Sequence, residues 1–190
     1  VAAPSLRLLR EWGLEGMDLA GDFTLYALNA QATRFWAEQG IGRITLSVED
    51  DRDNIESHLA RWPRDTGVLP QAILYKDTPL FIAEACSLTA LHNGCPTGKV
   101  CGYRTLEVEG PTGERFFVGH ESCKSIVYGR EAYGVSQHHA ALLAAGVRDF
   151  RIDFLTRPYD GKAIETVLES VRRSEPVPGT HPANFERRLL

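Results

Sequence analysis

The chain has 190 residues, 43% of them hydrophobic and 24% charged, and a formal net charge of -4. That balance suits a globular domain with one sizeable core, and four cysteines are too few for a disulfide scaffold. The acidic average excludes a broadly basic face for nucleic acid, leaving room only for a local groove. No stretch approaches the roughly 18 to 20 apolar residues of a membrane span, and the charged opening VAAPSLRLLREWG lacks an apolar signal region, so a cytoplasmic location is expected.

Leu6, Leu8, Leu9 and Trp12 precede Gly13 and predict a short first helix. The alternation of DLAGDFTLYALN predicts a strand ending near Asn29, which also suits a cap for the helix AQATRFWAEQG. GRITLSVED reads as a second strand, and DDRDNIESHLARW as an amphipathic helix opened by acids, with Ile55, Leu59 and Trp62 on one face. LPQAILY and PLFIAEAC read as a third strand and its continuation. After a cysteine loop, residues 103–119 read as a hairpin with EGPTGE as its turn. SQHHAALLAAGV, VRDFRIDFL and DGKAIETVLESVRR then predict helix, strand and helix, before a proline-containing tail at 174–190 that reads as irregular or docking.

Alternating strands and helices predict an α/β fold with a mainly parallel sheet. About four principal strands are visible, too few for a closed eight-stranded barrel, which typically needs about 250 residues. Half a barrel and an independent open sheet both satisfy the count.

Chemistry concentrates in residues 84–124. Cys86, Cys95, Cys101 and Cys123 match in number the thiolates that hold an iron–sulfur cluster or a structural zinc, and the glycines around them let a loop fold back on a metal. Their spacing fits neither a zinc ribbon nor a bacterial ferredoxin, and unrelated buried thiols are the plainer alternative. A cysteine nucleophile with His92 or His120 as base is a third reading, though it leaves three thiols unexplained. Asp22, Glu49, Glu84 and Asp153 fall at predicted strand ends, where α/β barrels place catalytic groups. Against that, Asp22 suits a turn and Asp153 suits an ion pair with Arg151 or Arg148. His138 and His139 read as a solvated helix face, and His58 and His181 take no role.

Taken together, GDFTLYALNAQA, RITLSVED, PLFIAEAC, FFVGHESCKSIVYG and LLAAGVRDFRIDF resemble, in that order, the collagenase-like peptidase family U32 from about Leu6 to Phe154. The resemblance implies that residues 1–173 form the C-terminal half of a TIM-type barrel with an inserted hairpin, associating with the missing half or with itself. It implies a 4Fe-4S cluster on Cys86, Cys95, Cys101 and Cys123; the residues themselves leave open a different class, a noncatalytic zinc-stapled domain that docks a partner through its tail. Family members support oxygen-independent hydroxylation of RNA bases or ubiquinone precursors, which makes RNA, a quinone precursor or a peptide the expected substrate. Direct proteolysis has no visible motif: no HExxH helix and no serine elbow occur.

Overall fold

The computed structural model describes residues 3–12, 16–96 and 105–187. The strands are β1 (Ala20–Gly21), β2 (Arg43–Thr45), β3 (Leu69–Lys76), β4 (Pro79–Ala83), β5 (Leu106–Glu109), β6 (Arg115–Glu121), β7 (Lys124–Gly129), β8 (Ala132–Gly134), β9 (Asp149–Ile152) and β10 (Thr180–His181). The helices are α1 (Ala3–Glu11), α2 (Ala30–Glu38), α3 (Arg52–Ala60), α4 (Ser87–Leu91), α5 (His139–Ala145) and α6 (Gly161–Arg173).

The fold is mixed α/β, and β1, β2, β3 and β9 run parallel in that spatial order. Crossover helices make this possible, because parallel neighbours cannot be joined by a tight turn. The crossover helices α2 and α3, and α6 after β9, each start with a cap: Asn29 accepts from the Ala32 N–H, Asp51 from Asn54 and Asp160 from Ala163, at 2.9, 2.8 and 2.7 Å. These side-chain oxygens satisfy donors that the first helical turn leaves open. The end of β3 is buried from Ala72 through Lys76, as expected for a central strand covered on both faces. Ile44, Leu59, Leu74 and Val147 pack at its heart, and the Trp62 indole N–H closes the connection out of α3 by donating to the Val68 carbonyl at 2.8 Å.

A second, antiparallel sheet has the order β4-β7-β6-β5. β8 returns the chain from it and pairs antiparallel with the last residues of β3. Gln71 pairs with Thr45 on one edge and Asp149 on the other, while Tyr75 pairs with Ile152 and Gly134. It follows that β8 occupies the edge that β2 vacates. The tail docks: β10 pairs with β8, and Phe185 is 2% exposed in the main core.

Several expectations are corrected. The predicted strand at 18–29 shrinks to Ala20–Gly21, because the Asp22 carboxylate accepts from the Phe23 N–H and starts a 3-10 turn over Phe23–Leu25. PLFIAEAC does not continue the third strand, since β4 pairs with β7 in the other sheet. The predicted hairpin is real as β5 and β6, but β7 and β8 were not foreseen. His58, whose sequence neighbours are polar, is 4% exposed and bonded to Thr33. Among the described residues, no helix is long and apolar enough to cross a membrane.

Candidate functional site

Two polar centres emerge. The first lies at the end of the antiparallel sheet. Ala83 of β4 pairs with Ser125 of β7, so Cys86, three positions beyond Ala83, and Cys123, two before Ser125, are delivered to the same end. Glu121 pairs with Lys124, which leaves Ser122 and Cys123 as a two-residue hairpin loop. Both have positive φ, 50° and 62°. That is the type I′ geometry in which Asn-Gly is favoured, so a cysteine there is held in a conformation that glycine would adopt at lower cost.

Cys86 sits just before α4, and the Thr89 backbone N–H holds its thiol pKa below the ordinary value. Such donors favour thiolate, the form that binds metal. Beside it the Ser87 hydroxyl meets His120 Nε2 at 2.7 Å, and the Ser87 N–H donates to Ser125 Oγ at 2.8 Å. Cys86, Cys95 and Cys123 are free thiols; Cys101 lies outside the described residues. Among the described residues, no three His, Cys, Asp or Glu side chains converge as a metal site. Glu84 is exposed and pairs with Lys124 at 2.7 Å, away from any acid cluster.

The second centre lies at the carboxyl ends of the parallel strands, where open α/β sheets bind ligands. Arg151 of β9 grips Asp153 through Nε and Nη2 at 2.6 and 2.7 Å, and its Nη1 reaches Asp22 at 2.8 Å. Thus two of the predicted acids, Asp22 and Asp153, are brought together across the sheet, but as partners of one arginine. Glu49 stands apart, accepting from the Tyr26 hydroxyl at 3.2 Å. Lys76 extends into the same centre, 4.0 Å from Asp153 and 4.1 Å from the Phe23 ring centroid. Burial pushes its pKa below the ordinary lysine value.

Next to it, Asp77 has a side chain only 1% exposed and is held by the Arg157 guanidinium and by the Tyr159 hydroxyl at 2.9 Å. Burial raises the Tyr159 pKa, helped by its bond with Tyr75 and by the Asp77 charge. Arg157 also lies 4.7 Å from the Phe117 centroid and donates to the Arg130 carbonyl at 2.8 Å, so it ties the parallel layer to the antiparallel sheet. A cavity of about 640 Å³ opens beside it, bounded by Phe117, Arg115, Arg130, Arg157 and Pro158.

Sequence reasoning missed Lys76, Asp77, Arg157 and Tyr159. The available signal was the charged pair Lys76-Asp77 directly after an apolar strand. No family model, curated protein or solved structure matches this chain.

Proposed function

We propose that this chain is an iron–sulfur protein resembling the U32 family, with Cys86, Cys95, Cys101 and Cys123 as ligands of a 4Fe-4S cluster. It acts within an enzyme that hydroxylates or otherwise modifies RNA bases or quinone precursors without oxygen. The observation that supports this most is the strand register that carries Cys86 and Cys123 to one end of the small sheet, with Cys123 kept in a left-handed conformation. Strained backbone at a chemically active side chain is a motive for a functional hypothesis. When bound, the cluster supplies one-electron transfer. The protein's own contribution is to hold Cys86 toward thiolate and to anchor both thiols just beyond hydrogen-bonded strands, Cys86 after β4 and Cys123 in the loop between β6 and β7.

The parallel run β1-β2-β3-β9 is read as the second half of a TIM-type barrel, whose missing half or a second copy covers the outer edges of β1 and β9. A reducing, cytoplasmic compartment would suit thiolates kept for a cluster.

The test is iron and acid-labile sulfide analysis, with an absorption spectrum, on protein prepared anaerobically beside Cys86→Ser, Cys101→Ser and Cys123→Ser. About four irons and four sulfides per chain, lost in each variant, are expected for such a cluster. Stoichiometric zinc with no iron uptake overturns the redox reading in favour of a structural staple, and no metal overturns both.

The peptidase alternative rests on one specific observation, the contact between the Ser87 hydroxyl and His120. A serine within hydrogen-bond reach of a histidine is the core of an acyl-transfer site. Peptide turnover abolished by Ser87→Ala, and retained in metal-free protein, would establish that reading; turnover indifferent to Ser87→Ala removes it.

A further inference from the structure

The charged groups at the carboxyl ends of the parallel strands are not equally satisfied. Arg151 uses three nitrogens on Asp153 and Asp22. Asp77 is bonded to Arg157 and Tyr159. Lys76 is only 9% exposed and its ammonium makes no side-chain hydrogen bond among the described residues; its neighbours are the Asp153 carboxylate at 4.0 Å and the Phe23 ring at 4.1 Å. A lysine that serves only as a structural ion-pair partner turns its donors onto acceptors. This one ends beside a carboxylate and against an aromatic face, at the strand ends where ligands bind.

We propose that Lys76 is a reactive amine that condenses with a small uncharged aldehyde or ketone at the carboxyl end of β3. The inference does not rest on the cluster reading, since none of the cysteines takes part. Burial supports it by weakening the hold on the ammonium proton; the Asp153, Asp22 and Asp77 charges pull the other way, and the Arg151 charge adds to burial.

Charge selects the substrate. With Lys76 neutral, Arg151 faces both Asp22 and Asp153, while Arg157 and Asp77 cancel, so the surroundings carry one net negative charge. A carbonyl compound bearing its own carboxylate or phosphate is repelled, and an uncharged one is not.

The step balances without a further reagent. The Nζ lone pair attacks the carbonyl carbon and forms the C–N bond, while the π pair moves to oxygen. Asp153 relays one amine proton to that oxygen, giving a carbinolamine. Nitrogen then expels the oxygen as water, which takes the second amine proton by the same relay. Amine and carbonyl become imine and one water.

The experiment exposes the full chain at pH 7 to glycolaldehyde with cyanoborohydride, which reduces any imine to a stable secondary amine, and maps the adducts by peptide mass. Lys76 is expected to carry the dominant adduct, labelling faster than Lys124 or Lys162, because burial weakens the hold on its ammonium proton and the Asp153 carboxylate stands beside it. Lys76→Arg removes that adduct and leaves the others. Labelling that is uniform, or that rises with pH in parallel with Lys162, overturns the proposal. If Lys76→Arg does not fold, the rates within the wild-type protein decide alone. Glyoxylate labelling Lys76 faster than glycolaldehyde overturns the charge selection.

Discussion

Lowering the pH should destabilise this fold through one residue. His58 lies in α3, 4% exposed, with its ring tilted against Trp62 at 5.0 Å. Nε2 meets the buried Thr33 hydroxyl at 2.8 Å, and Nδ1 has no partner among the described residues. Burial therefore lowers its pKa from 6.5 to about 4. Because the folded value lies below the unfolded one, the unfolded chain binds more protons as pH falls, and stability is full above pH 6.5 and lost downward toward 4. Linkage puts the loss at about 2 kcal/mol by pH 5 and about 3 kcal/mol by pH 4. Carboxylates titrate in the same range, so the measurement is a difference. Urea unfolding of wild type and His58→Leu, followed by tryptophan fluorescence at pH 7 and pH 5, should show the wild type losing about 2 kcal/mol more than the variant. Parallel losses in the two proteins would refute the argument that His58 is buried and neutral.

Further outcomes follow from single contacts. Cys123→Gly relieves a positive φ of 62° and should raise the stability of iron-free protein by about 1 kcal/mol in urea unfolding, while abolishing iron uptake. Asp77→Ala leaves Arg157 without its buried carboxylate and should cost roughly 3 kcal/mol, read as a lowered urea midpoint. Gly134→Ala drives a methyl to 2.7 Å from Thr180 Cβ and should lower the melting temperature, at a cost of about 1 to 3 kcal/mol. Asn29→Ala removes the acceptor for the Ala32 N–H and should cost about 1 kcal/mol by the same unfolding assay.

The parallel layer was legible because its strands are apolar and its helices begin with Asn29, Asp51 and Asp160, whose capping chemistry is local. What the sequence concealed was mostly non-local. Nothing in PLFIAEAC says that β4 leaves the third strand's sheet, because a strand's partner lies elsewhere in the chain. β7 escaped notice although the Ser122-Cys123 loop before it is short enough for a hairpin; neither residue is among those that readily take the positive φ such a turn needs. Asp22 and Asp153 do stand at the ends of parallel strands, yet their shared partner Arg151 is 129 residues from Asp22. The Lys76 environment depends on Phe23, and that aromatic belongs to a turn that read as strand.

The docked tail bears on how the molecule is made. β10 pairs with β8, Phe185 fills a place beside the parallel layer, and the Phe185 carbonyl accepts from the Arg52 N–H at 3.1 Å, just at the start of α3. During synthesis the segment around α3 leaves the ribosome long before residue 185 does. Its core stays open at that corner until the tail segment has emerged, so closing that corner waits for it. A chaperone holding the nascent chain would find its exposed apolar corner there, and that corner closes only once the tail has emerged.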